Sequence, residues 1–213
     1  MSPFAAVISI LAALLLGAMS PGPSFVLVAR NAIGLSRRDG VATAFGMGVG
    51  AICFAGIALA GLYTVLATIA WLYAGLKIAG GLYLLYIASR IWRGAGEPVT
   101  MGSASNAGTA SRPGKSFWIG LTTQLSNPKT AIAYGSIFVA LLPQHPPLWC
   151  YFALPPFVFL IETGWYTVVA LSFSSQRPRE LYLRAKRWID RVAAGAIAAL
   201  GLRLILTAGH RGL

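Results

Sequence analysis

Apolar runs of about twenty residues, nearly free of charge, recur along this chain, and a run of that length spans the hydrocarbon layer of a bilayer as an α-helix. Lipid offers backbone amides no partner, so a segment that enters it must close its hydrogen bonds internally, as helices do. About six such stretches can be placed, near residues 4–29, 41–65, 68–89, 116–142, 148–173 and 191–209. Composition agrees: 57% of the residues are hydrophobic and 10% charged, more apolar surface than a soluble core can hide. The expected class is an all-α membrane protein with a single transmembrane domain over 1–213. No charge separates Tyr63 from Lys77, so five spans with one re-entrant segment form the alternative. The 24 glycines suit close helix packing, and faces of small residues would permit a homodimer. The run Gly46-x-Gly48-x-Gly50, with Gly56 and Gly61 after it, reads first as a packing face and otherwise as a close approach to a solute path.

A formal charge of +12 raises the question of a nucleic-acid partner, but the placement of the charge answers it. Thirteen of the 17 Lys and Arg fall in three segments between apolar runs: Arg30 to Arg38, Arg90 to Lys115, and Arg177 to Arg191. These read as loops held in the cytoplasm by the positive-inside rule, with anionic lipid head groups as secondary contacts and no nucleic acid. With six spans, both termini then lie outside. The N-terminal run ends in small residues like a secretory signal, yet it lacks a basic leader and its positive charges follow at Arg30 to Arg38. That order fits a retained first span. Trp71, Tyr73, Trp92, Trp118, Trp149 and Trp188 cluster at span ends, as an interfacial belt does. Cys53 and Cys150 fall at different depths, which argues against a disulfide.

A polar Gly/Ser/Ala/Pro-rich linker, about 94–115, divides the chain into halves of about 1–93 and 116–213. Each half holds three spans, and the first span of each carries a proline interruption: Ser20-Pro21-Gly22-Pro23 and Ser126-Asn127-Pro128-Lys129. The last span of each opens with a basic residue followed four positions later by glycine, Lys77…Gly81 and Arg191…Gly195. Three helices per repeat force opposite insertion, so the expected architecture is two inverted three-helix repeats with helices 1 and 4 broken at proline. The span limits place the two breaks at different depths.

Pro21 and Pro23 remove two backbone donors and Gly22 adds a flexible point, which frees polar groups that only protein or a water-filled cavity can satisfy. A simple kink, or the end of a helix, is the bland alternative. Around Pro128, Lys129 lies deep in an apolar span, and Gln124 and Asn127 supply amides within a turn. The ammonium needs a partner: a carboxylate of another helix, freed carbonyls or a substrate carboxylate. Glu162 is the one acid well inside an expected span; it either pairs with Lys129 or Lys77 as a fixed structural bridge, or exchanges a proton. Lys77 and Arg203 are close enough to span ends to snorkel.

Several chemistries find no support. No phosphate-cradling Gly-rich loop precedes a Lys-Ser/Thr pair. His145 and His210 stand alone, so no metal site, no Ser-His-Asp constellation, no catalytic residue and no cofactor is indicated. The remaining classes are a transporter, a passive channel and a structural or assembly subunit of a membrane complex. A channel would call for a polar stripe along several helices, and none is evident.

The motifs in their order resemble the LysE/RhtB family of amino acid exporters nearly end to end. They are Pro21-Gly22-Pro23, Gly34…Arg38-x-Gly40 with Gly46 and Gly50, the LKIAGGLYLLYIAS block from Leu76 to Ser89, Asn127-Pro128-Lys129, Leu142-Pro143-Gln144, and Arg191…Gly195. The resemblance implies efflux of amino acids or their derivatives, driven by the proton-motive force across a bacterial inner membrane. It also implies that Glu162 occupies a fifth-span position where family members often have an acid, frequently Asp. After Pro143-Gln144 the family commonly has an aromatic residue; here His145-Pro146-Pro147 follows. The expected solute path for a small amino acid-like molecule is therefore lined by Pro21, Gly22, Pro23, Gln124, Asn127, Pro128, Lys129 and Glu162.

Overall fold

The computed structural model describes residues 2–68, 70–97, 111–143 and 146–208, with side chains outside 62–73. Most of the linker, His145, His210, Arg211, and the side chains of Trp71 and Tyr73 lie outside the described residues. Within them the chain forms eight helices and no strand: α1 Pro3–Met19, α2 Pro23–Gly34, α3 Arg37–Thr68, α4 Ala70–Gly94, α5 Pro113–Leu125, α6 Pro128–Leu141, α7 Leu148–Phe173 and α8 Gln176–Leu206. The all-helical class is as expected. By length and composition α3, through Arg37–Gly61, and α7 are each able to cross a membrane, and α1 with α2 makes a third candidate if the bent pair is one span.

Both proline interruptions end a helix and start the next. Ser20 and Gly22 are extended, and Pro23 opens α2 at its first turn, where its missing N–H costs nothing. The two pieces are bent by 58°. Asn127 is extended as well and caps α6, its Oδ1 accepting the Lys129 N–H at 3.1 Å, with Pro128 as the first helical residue. Lys129 is thus in the first turn of α6, at a break, and not in the middle of a continuous helix. A proline pair alone does not decide such a break. Pro155 and Pro156 lie inside α7, which runs on through them.

The third basic segment is not a loop. Arg177 to Arg191 belong to α8, which starts well before the apolar run that its charges were expected to precede. Its buried residues Lys186, Asp190, Ala193, Ala194, Ile197, Gly201 and Leu204 form one continuous helical stripe, so the inward face crosses from the charged part into the apolar part without interruption. Lys186 and Asp190 sit one turn apart on that face and pair at 2.8 Å.

α3 is wedged between α5 and α7, and α4 lies along α8 and α6. Contact between α3 and α5 is backbone to backbone: a Cβ on Gly46 would run into the Phe117 carbonyl, and one on Gly120 into the Thr43 carbonyl. Gly48 faces Thr163 and Phe159 of α7, while Gly50 lies against Gln124. Among the described residues nothing lies within 4 Å of a Cβ on Gly56 or Gly61. The glycine run is therefore a packing face as far as Gly50. Larger side chains fill the remaining space, with Phe25 of α2 stacked against Tyr182 of α8 and edge-on to Phe173 of α7. Outward faces are apolar, including Phe4, Ile57, Phe152, Leu160, Trp188 and Leu206, as suits lipid contact.

One end of the bundle gathers the ends of the basic segments. Ser36 bonds Ser111 at 3.1 Å, and Arg37 Nε donates to Ser174 Oγ at 3.1 Å. Asp39, fully buried, accepts from the Ser36, Ser111 and Ser116 hydroxyls and from the Arg112 N–H. Three serines and an amide thus satisfy one carboxylate and tie the start of α3 to the start of α5.

Candidate functional site

The two broken helices meet. Ser24, in the first turn of α2, donates through Oγ to Gln124 Oε1 at 2.9 Å and accepts from Asn127 Nδ2 at 3.2 Å. All three side chains are buried. The sequence-expected difference in depth does not hold, because these hydrogen bonds place the breaks side by side. The α1 end is secured in the same way, with Trp165 Nε1 donating to the Ala18 carbonyl at 3.0 Å and the Tyr182 hydroxyl to the Met19 carbonyl at 3.1 Å. Helix breaks free polar backbone, and here side chains of α7 and α8 take up carbonyls that lipid could not.

Two cavities adjoin at this junction. The narrow one, about 50 Å³, is bordered by Gly22, Gln124, Asn127, Lys129, Tyr134 and Glu162, and has room for a few waters. The wide one, about 490 Å³, is bordered by Pro21, Pro23, Pro128, Arg90, Lys186 and Asp190, in the size range of small-molecule sites. Gly22, Asn127 and Lys129 border both. Every residue named from the sequence as lining a path is thus at one cavity or the other: Gln124 and Glu162 at the narrow one, Pro21, Pro23 and Pro128 at the wide one, and Gly22, Asn127 and Lys129 between them.

Lys129 Nζ lies against the first break, where a Cβ on Gly22 would be 3.5 Å from it. The ammonium thus lies at ordinary contact distance from the backbone of the first break. Among the described residues no carboxylate is within ion-pair distance of Lys129, so the direct Lys129–Glu162 bridge considered from sequence is not formed. Glu162 is 3% exposed; Oε1 accepts from the Tyr134 hydroxyl at 2.9 Å, and among the described residues Oε2 has no hydrogen-bond partner. α2 and α6 both begin at the junction, so two helix N-termini and one ammonium supply positive potential around it.

Sequence reading missed Ser24, Tyr134, Tyr166, Lys186 and Asp190. Tyr166 follows Glu162 by one helical turn and borders the narrow cavity beside it, so spacing could have found it. Ser24 and Tyr134 had no such signal. Lys186 and Asp190 were hidden by the assumption that charge ends a span.

Residues 15–208 match the family model of the LysE type translocator. The chain belongs to that family. The translocator is 35% identical over 193 residues to the threonine efflux protein of Escherichia coli (strain K12), covering 89% of this chain and 92% of that one. It is equally similar, over 192 residues, to the threonine efflux protein of Salmonella typhimurium, again covering 89% and 92%. An uncharacterized membrane protein of Haemophilus influenzae is 29% identical over 195 residues, covering 90% and 91%. No solved structure matches the translocator. Family membership makes it a helical membrane protein of translocator type, in agreement with its apolar outward faces.

Proposed function

We propose that this translocator exports a small hydrophilic amino acid, of which threonine is the first to test, from the cytoplasm across a bacterial inner membrane, and that Glu162 couples export to protons. The observation that carries the reading is Lys129, an ammonium with no carboxylate at ion-pair distance among the described residues, held against Gly22 at the border of two cavities. A substrate carboxylate is the counter-ion that such a position lacks. Helix N-termini at broken helices serve anionic substrate groups in the same sense. Glu162, buried with one free oxygen in the narrow cavity, can take either the substrate ammonium or a proton.

The pairing of α3 with α7 and of α4 with α8 is what two inverted halves would produce. Alternation in this reading widens the narrow cavity while the wide one closes. The basic ends gathered near Asp39 are assigned to the cytoplasm, and the wide cavity, bordered by Arg90 and by Gly94 and Glu97 at the start of the linker, opens toward that side. The relatives named for threonine efflux agree in direction.

The test is transport by the purified protein in proteoliposomes, with threonine and a panel of other amino acids. Threonine counterflow that accelerates under an imposed proton gradient is expected, with the acceleration lost in Glu162→Gln. A variant that keeps the full gradient response removes Glu162 from the coupling.

A further inference from the structure

Asp190 is a buried carboxylate that the reading above leaves unused. It is 2% exposed and borders the wide cavity. Oδ2 pairs with Lys186, whose Nζ also donates to the Gly94 carbonyl at 2.9 Å, so Lys186 is held from two sides. Among the described residues Oδ1 has no hydrogen-bond partner. An unsatisfied buried carboxylate oxygen is uncommon enough in native proteins to call for a reason. Glu162 Oε2 in the narrow cavity is in the same condition.

Each cavity thus has one buried carboxylate with an unmet oxygen, the Glu97 at the wide cavity being exposed, and Lys129 borders both cavities. On the wide side the exposed Arg90 adds a second cation. Cations for a carboxylate and an unmet anionic oxygen for an ammonium are the two halves of an α-amino acid receptor.

We infer that the wide cavity is an entry subsite for a zwitterionic α-amino acid, with Asp190 reading its ammonium while Lys129 and Arg90 take its carboxylate. Transfer inward then needs one exchange only: the carboxylate stays with Lys129, and the ammonium passes from Asp190 Oδ1 to Glu162 Oε2. This deepens the amino acid reading above and rests on it.

The experiment is threonine counterflow into proteoliposomes, with three unlabelled competitors: threonine, the deaminated acid that carries a hydroxyl in place of its amine, and its decarboxylated amine. Wild-type protein is expected to prefer threonine to the deaminated acid by about tenfold or more, the scale of one charge-assisted hydrogen bond. Asp190→Asn should raise the KM for threonine by about tenfold with a much smaller change in kcat, and should bring the deaminated acid close to threonine as a competitor. Asp190→Glu should restore the preference. Because Asp190→Asn leaves Lys186 unpaired, the double variant Lys186→Gln/Asp190→Asn removes both charges and should show the same lost preference in a protein that still elutes as a single species. Wild-type KM and preference in Asp190→Asn overturn the subsite, as does a loss of kcat with the preference intact. Absence of counterflow for every amino acid in the wild type overturns the amino acid reading first, before any variant is compared, and the subsite with it.

Discussion

The Tyr134 hydroxyl donates to Glu162 Oε1 at 2.9 Å, across from α6 to α7, and is the sole hydrogen bond to this buried carboxylate among the described residues. One oxygen is thereby held and the other left for a mobile partner. Tyr134→Phe would leave both oxygens unmet without changing the packing with Phe54 and Phe138. Threonine counterflow should drop about tenfold or more, the worth of one hydrogen bond to a charged group. Initial rates in proteoliposomes decide it; wild-type rates would remove Tyr134 from the site.

Ser24 joins the two broken helices through Gln124 and Asn127. Ser24→Ala should destabilise the protein by about 1–3 kcal/mol for each amide left without its partner. A lower melting temperature in detergent and slower transport are expected together. Ser24→Thr keeps the hydroxyl and should recover part of both. An unaltered melting curve for the alanine variant would show that the breaks hold their positions without this junction.

Glycines on α3 and α5 should separate by what lies opposite them. Gly120→Ala drives a methyl into the Thr43 backbone, which cannot yield as a flexible side chain does, and overpacking of this kind costs about 1–3 kcal/mol. Gly56→Ala meets nothing and should leave the melting temperature unchanged. Fluorescence-detected size exclusion after a heating series compares the two. Equal behaviour would refute the close α3–α5 approach.

The orientation assigned to the basic ends can be measured by cysteine labelling. In a background with Cys53 and Cys150 replaced, single cysteines at Arg93 and Arg177 should react with a membrane-impermeant maleimide only after the inner membrane is permeabilised. A cysteine at the exposed Ser2, the N-cap of α1, should react in intact spheroplasts. Reversed accessibility would invert the topology and with it the side on which the wide cavity opens.

Much of the site was legible as residue types, and its assembly was not. Pro-Gly-Pro and Asn-Pro-Lys announce irregular backbone because proline lacks an N–H and its ring excludes the preceding turn. Nothing in either motif says that Ser24 reaches Gln124 and Asn127, about a hundred residues away. Nor does a proline pair announce its own outcome, since α7 continues through Pro155 and Pro156. Glu162 was visible as the one acid well inside an apolar span, and in the structure Cys150, Leu154, Val158, Glu162, Tyr166 and Ala170 recur every four residues along one buried face. Asp190 obeys the same rule on α8. It was concealed by its neighbours, because a hydropathy argument averages over charge and does not ask on which face of the helix the charge lies.

By itself, then, the sequence determined the solvent, the helical class and the family, since apolar length, backbone satisfaction and ordered motifs are local or additive properties of the chain. Only the tertiary structure decided that the two breaks touch, that Lys129 has no direct bridge to Glu162, and that Lys186 and Asp190 face inward. Those outcomes depend on which helix faces meet, and here the meeting is set by backbone contact at Gly46 and Gly120 and by hydrogen bonds between residues remote along the chain. Pairings of that kind are satisfied or broken by a fraction of a helical turn, a distance to which composition and spacing are blind.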